Sequence, residues 1–146
     1  MVVPASVTTM GDSTFAYCKY LTSVEFTNIT TIGATVFYET AKLVSVVFPT
    51  TLLSITGVAN FQGCTSLTMI VIPSSVTVIS GPLTFNLCTK LTTVMVPSLD
   101  IFQTTDSFNG TEAKSIVTVM WATSLNPYTF PAGYQPASTV ISLLRK

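Results

Sequence analysis

Hydrophobic positions recur along most of this chain at steps of 22 to 25 residues. Residues 67–90, LTMIVIPSSVTVISGPLTFNLCTK, show one full period. Leu67, Ile70 and Ile72 open it at L-x-x-I-x-I spacing, and Pro73 then turns the chain. Val76 and Ile79 form a second apolar pair, Gly81 follows, and Phe85 and Cys88 close the period before Leu91 begins the next. The leading position recurs as Leu21, Leu43, Leu67, Leu91 and Ile116, and the aromatic one as Phe15, Phe37, Phe61, Phe85 and Phe108. Three residues after the aromatic come Cys18, Thr40, Cys64, Cys88 and Thr111. The second pair reads Val7/Met10, Ile29/Ile32, Leu52/Ile55, Val76/Ile79 and Leu99/Phe102. The turn proline is Pro4, Pro49, Pro73 and Pro97, with Asn28 in the second copy, and the glycine is Gly11, Gly33, Gly57 and Gly81. Self-similarity at such a period is the signature of a solenoid.

The columns predict elements. Alternation across the last four residues of the opening segment predicts a short strand with one buried face. The inward set is Leu21/Val24/Phe26, Leu43/Val46/Phe48, Leu67/Ile70/Ile72, Leu91/Val94/Val96 and Ile116/Val119/Trp121. One strand per coil implies a stacked parallel sheet, and the proline ends each strand because it cannot donate to a ladder. The second pair starts another short extended segment. Glycine is expected to supply a backbone with positive φ, and F-x-x-C a single helical turn that points both side chains inward. The expected fold is a right-handed solenoid of mainly short parallel strands with single helical turns. It has about five coils of 22–25 residues, the first incomplete, over residues 1–121.

The pattern L-x-x-V-x-(I/F/V)-P-(S/T)-(S/T)-V-x-x-I-x-G, followed by F-x-x-C-x-x-L, resembles the BspA-like, or Treponema pallidum-type, leucine-rich repeats. The resemblance implies a leucine-rich-repeat solenoid from a surface or secreted protein of a bacterium or protozoan parasite, often one that binds host proteins. It implies no catalytic residues.

Residues 122–146, ATSLNPYTFPAGYQPASTVISLLRK, leave the repeat. Pro127, Pro131 and Pro136 oppose regular structure there, while Tyr128, Phe130 and Tyr134 are free to pack. Two readings stand: a C-terminal cap over the last coil, or a tail that docks on another chain. At the other end the chain enters partway through a repeat. The expectation is that residues 1–20 pack against upstream repeats or another molecule.

Composition narrows the function. Lys+Arg and Asp+Glu both number 6, so no basic field favours nucleic acid or an anionic membrane. Hydrophobic residues at 48% with charged ones at 8% argue against disorder. No apolar run approaches the roughly 18–20 residues of a membrane span. The first residues lack the charged and apolar regions of a signal peptide. The 3 cysteines, with no histidine and no C-x-x-C pair, make a zinc site a poor reading. As an inward column they are expected to be buried free thiols.

Without histidine there is no nucleophile–base–acid set, and the carboxylates Asp12, Glu25, Glu39, Asp100, Asp106 and Glu112 are scattered. Asp100 and Asp106 read as solvated loop residues. Lys19, Lys42, Lys90 and Lys114 recur at or near the coil corner, as exposed charges or a basic ladder. Asn28 and Asn109 head candidate glycosylation sequons, relevant only in a eukaryotic secretory pathway. The outward strand positions are Ser23/Glu25, Ser45/Val47, Met69/Val71, Thr93/Met95 and Thr118/Met120. Val47, Met69, Val71, Met95 and Met120 therefore form an apolar stripe on the open face, a candidate protein-binding surface unless a loop or the tail covers it. The expected function is a non-enzymatic, adhesion-type protein-binding module at the cell surface or outside the cell, without a cofactor. The partner is another protein or copies of the chain itself. The alternative is a structural subunit that self-assembles through its uncapped end and apolar face. Ice binding, which needs a regular outward Thr array, is a minor third reading.

Overall fold

The computed structural model describes residues 1–97, 101–103 and 107–108, and the backbone of 117–119. Among the described residues ten short strands fall on two faces, alternating from β1 to β9: β1 (Val2–Val3), β2 (Thr9–Met10), β3 (Ser23–Phe26), β4 (Thr31–Ile32), β5 (Ser45–Val47), β6 (Ser54–Ile55), β7 (Met69–Val71), β8 (Val78–Ile79), β9 (Thr93–Val96) and β10 (Val117–Val119). All pairing is parallel and links each coil to the next. The L-x-x-V-x-F segments carry the first face and the second apolar pairs carry the other. On the second face β2, β4, β6 and β8 form one four-stranded sheet, which the bridge from Ile79 to Phe102 extends. The first face forms two three-stranded sheets, β1-β3-β5 and β7-β9-β10, rather than the continuous sheet expected from the repeat.

A third ladder runs where the sequence predicts helical turns. The amides of Phe15, Phe37 and Phe61 each donate to the carbonyl one residue before the aromatic of the next coil, Val36, Asn60 and Thr84, at 2.8–2.9 Å. The flanking pairs Ser13–Ala34 and Tyr17–Tyr38, Thr35–Val58 and Glu39–Gln62, and Ala59–Pro82 and Gly63–Asn86 repeat this geometry. Within the coil, F-x-x-C closes a tight turn in which the amide of Cys18, Thr40, Cys64 or Cys88 bonds the aromatic's carbonyl. No α-helix forms among the described residues. The reason is visible at Ser13, Thr35, Ala59 and Leu83 and at Tyr17, Glu39 and Leu87, which hold φ between 53° and 61°. A left-handed residue at each end stops a helix from propagating. It also turns alternate amides along the solenoid axis. Each such residue costs roughly 1–2 kcal/mol, which the coil-to-coil bonds, about 0.5–1.5 kcal/mol each, offset.

The repeating glycine serves a different end from the one expected. Gly57 alone of that column has positive φ, 85°. What Gly33, Gly57 and Gly81 share is close approach to the preceding coil, which Gly11 lacks. A Cβ on Gly57 would lie 2.6 Å from Cα of Ala34, and one on Gly81 would run into the carbonyl of Gly57. Consecutive coils touch backbone to backbone at this corner, so no side chain fits.

The core follows the predicted columns. Val24, Phe26, Leu43, Val46, Phe48, Leu67, Ile70, Ile72, Leu91, Val94 and Val96 are all buried, and Leu21, in an outer coil, is partly so. Phe15, Phe37, Phe61, Phe85 and Phe108 form a continuous stack with centroids 5.2–5.5 Å apart and planes within 18°. Phe26 and Phe48 stack beside it at 5.9 Å, Phe48 meeting Phe61 edge-on. Hydroxyls also follow the period. Thr27, Thr30, Thr51, Thr56, Ser75 and Thr92 each donate to a carbonyl of the preceding coil. This accounts for much of the Ser and Thr in a chain with few charges.

At the last strand the register departs from the sequence alignment. The repeat step sets Val119 opposite Val94, whereas the ladder pairs Val94 with Val117 and Val96 with Val119. Two residues make one full pleat, so the alternation stays in phase.

Candidate functional site

Outward positions on the first face place Ser23 and Glu25 on β3, Ser45 and Val47 on β5, Met69 and Val71 on β7, and Thr93 and Met95 on β9. Pairing sets Glu25 beside Val47, Met69 beside Thr93, and Val71 beside Met95. β5 and β7 are neighbours, so Val47 and Val71 sit at equivalent positions on adjacent strands. Of the proposed stripe, Val47 and Val71 are half-buried and Met69 is 40% exposed. Met95 is the exception, at 4%. It has the outward register but is not open to solvent, so it must be removed from the exposed stripe. Register gives a side chain's direction and does not say what lies over it. Met120 falls outside the described residues.

The remaining candidate residues are dispersed. Lys19, Lys42 and Lys90 are exposed, as expected of a coil corner. Lys114, Asp100, Asp106, Asn109 and Glu112 lie outside the described residues. Asp12 accepts the Ala34 amide at 2.7 Å, which ties its carboxylate to the next coil. Asn28 is half-buried and its amide nitrogen donates to the Ala5 carbonyl at 3.0 Å. A glycan there would give up that bond. Among the described residues no three His, Cys, Asp or Glu side chains are grouped to hold a metal ion. Among the described residues there is no helix long and apolar enough to cross a membrane.

The cysteines are free. Cys64 and Cys88 are fully buried, and their thiols donate to the carbonyls of Phe37 and Phe61 at 3.2 and 3.0 Å. Burial pushes Cys88 up to about 12 and Cys64 still higher, the second thiol adding to the effect on Cys64. Cys18 was expected to be buried with them but is only half-buried, since no preceding coil packs over it.

One surface cluster was missed. Tyr17 and Tyr38 meet edge-on at 5.4 Å, and Tyr20, 85% exposed, carries the Lys42 ammonium 5.8 Å from its ring centroid. The Tyr17 phenol, then burial and the Glu39 carboxylate, raise the pKa of Tyr38. Tyr17 and Tyr38 occupy different columns of the repeat, so column-wise alignment hides their contact.

Residues 1–114 match the BspA type leucine rich repeat region in 6 copies. The chain belongs to this family. Solved leucine-rich-repeat structures are similar to the chain. A leucine rich cell surface protein from Faecalibacterium prausnitzii superposes with a TM-score of 0.77 at 24% identity, over 84% of this chain and 32% of its own. The leucine rich repeat protein of Treponema pallidum gives 0.66 at 25% identity, over 81% and 56%. A leucine-rich repeat protein from Bacteroides ovatus gives 0.68 at 24%, over 80% and 30%. The chain thus spans between 30% and 56% of the length of these structures. No curated protein matches the sequence.

Proposed function

We propose that this chain is a non-enzymatic protein-binding module that works outside the cell or at its surface, and that Val47, Met69 and Val71 carry the contact. The observation behind this reading is the half-open apolar stripe on a sheet whose other side already holds a complete core. Val47 and Val71 lie next to the inward residues Val46, Phe48, Ile70 and Ile72 but are not themselves part of the core cluster. Methionine and valine on an open sheet face suit adaptable contacts with another protein. Family membership and the cell-surface relative from Faecalibacterium prausnitzii support the location. The test is saturable binding of the immobilised full chain to a panel of purified extracellular proteins. Met69→Ser combined with Val71→Ser is expected to leave the melting temperature nearly unchanged and to weaken that binding by about tenfold or more. Absence of any saturable partner, or unchanged binding by the double variant, contradicts the reading. Light scattering against concentration separates it from the structural-subunit alternative, which requires growth to large species.

A further inference from the structure

Tyr17 and Tyr38 face each other across one rung of the turn ladder, where the Tyr17 amide donates to the Tyr38 carbonyl at 2.8 Å. Their rings meet edge-on, with centroids 5.4 Å apart and planes at 75°. The Tyr17 phenol is the largest influence on the Tyr38 hydroxyl, whose pKa it raises, so the two hydroxyl ends are close neighbours. The fold does not require this pair. In the next two coils the same rung carries Glu39 with Gln62 and Gly63 with Asn86. Tyr17 also holds a left-handed backbone, φ 57°, at the position where Gly63 stands two coils on. A bulky side chain is costly there. Yet Tyr17 is 63% exposed, and neither ring belongs to the core cluster.

We propose that Tyr17 and Tyr38 form an oxidative cross-linking site, joined through their ortho carbons when a one-electron oxidant of the haem peroxidase class acts with hydrogen peroxide. The step balances. Each phenol gives up one electron and one proton and becomes a phenoxyl radical. The two radicals form a carbon–carbon bond between ortho carbons, and each ortho hydrogen then moves to its oxygen, which restores both phenols. Two hydrogens leave the protein, and one peroxide is reduced to two waters. The ladder holds the two backbones together, so one radical meets the other without diffusion, at an effective concentration on the order of millimolar or more. From edge-on contact the coupling needs a turn of the rings, which surface side chains make rapidly. Tyr20 lacks this arrangement. It is more exposed, at 85%, but the Lys42 ammonium rather than a phenol lies beside its ring. The new bond staples the first coil to the second and closes the chain between residues 17 and 38, which restricts the unfolded state.

The experiment is treatment of the full chain with a haem peroxidase and hydrogen peroxide, followed by trypsin digestion and mass spectrometry. Cleavage after Lys19 and Lys42 leaves Tyr17 in residues 1–19, and Tyr38 together with Tyr20 in residues 20–42. The expected product is these two peptides joined, two hydrogens lighter than their sum, with fragmentation placing the bond at Tyr17 and Tyr38. Its yield is expected to hold within about twofold over about a hundredfold dilution. Tyr17→Phe and Tyr38→Phe are each expected to lower the yield by about tenfold or more, and Tyr20→Phe to leave it within about twofold. The linked chain is expected to melt at a higher temperature than the unlinked one. Four results overturn the proposal. They are no joined peptide under conditions that oxidise Tyr20, a yield that falls in proportion to concentration (the link then joins two copies), a joined peptide that survives Tyr38→Phe (Tyr20 is then the partner), and a linked chain that melts no higher. If a variant unfolds, the dilution series and the fragmentation of the unsubstituted chain decide.

Discussion

Thr40, Cys64 and Cys88 interchange in one column because each places a short donor under an aromatic's carbonyl in the preceding coil. Thr40 bonds the Phe15 carbonyl at 2.6 Å, as the two thiols bond those of Phe37 and Phe61. The column thus selects a small side chain with one hydrogen to give, and reactivity plays no part. Native protein at pH 8 should show one thiol, Cys18, reacting readily with Ellman's reagent, and Cys64 and Cys88 reacting only after unfolding. Fast labelling of Cys88 in the native state would contradict the packing. The thiols also make stability depend on pH. In the fold Cys88 keeps its proton to about 12, whereas the unfolded chain releases it near its ordinary value of 9. The unfolded state therefore binds fewer protons above pH 9, and stability falls from there to pH 12 by roughly 1.4 kcal/mol per unit for this thiol. Below pH 9 its contribution is fully present. Urea titrations of wild type and Cys88→Thr should agree at pH 8 within about 1 kcal/mol and diverge as the pH rises, with the variant the flatter. The glycine corner gives another residue-scale contrast. Gly81→Ala forces a methyl into the Gly57 carbonyl and should cost about 2 kcal/mol or more. Gly11→Ala meets only the Thr14 hydroxyl at 3.9 Å and should be nearly neutral. Equal losses would mean that the corner is not a close contact.

Each coil of the solenoid is fixed by neighbours on two sides, so the same substitution costs more in the middle. Leu67→Ala should lose ~2–5 kcal/mol through transfer and cavity terms. Leu21→Ala, at a position already half open, should lose clearly less in the same denaturant melts. How far the elements were legible follows from what periodicity can carry. The inward residues of β3, β5, β7 and β9 and the Phe15-to-Phe108 stack all repeat in type, and they lie where the columns put them. The turn ladder does not repeat in type. Ser13, Thr35, Ala59 and Leu83 share a left-handed backbone and no chemistry, so nothing in those letters shows that the F-x-x-C segment would stop short of a helix. Glycine was the natural candidate for positive φ, yet Gly33 and Gly81 are there for space. Asn60 was invisible for a related reason. It shares its column with Thr14, Val36, Thr84 and Ser107, so no single residue type marks it; it is buried, its carbonyl oxygen accepts the Val36 amide at 3.1 Å, and its amide nitrogen donates to the carbonyls of Thr56 and Gly57. Asn60→Leu would strand that amide and should cost about 1–3 kcal/mol despite its greater hydrophobicity. A neutral result in a thermal melt would show that the bond carries no weight.

At the scale of the molecule, the stacked coils separate stability from recognition. Among the described residues core side chains, backbone bonds and hydroxyl bonds recur from coil to coil, while the outward residues of the first face vary from Ser and Glu at β3 to Val and Met further along. That is why the fold could be read from one sequence and the binding face only in part. Alternation set the direction of Val47, Met69, Val71 and Met95, but it did not show that Met95, unlike Met69, lies buried. The account rests on adjacent residues of one strand having opposite roles. The most direct measurement is therefore the denaturant stability of Ile70→Ser and Met69→Ser in the full chain, side by side. Ile70 is 1% exposed and should lose about 3 kcal/mol or more, because a core methyl cluster is replaced by a cavity and an unpaired hydroxyl. Met69, at 40% exposure, should change stability by less than about 1 kcal/mol. Equal losses, or a larger loss at Met69, would contradict the register on which both the fold and the proposed binding face depend.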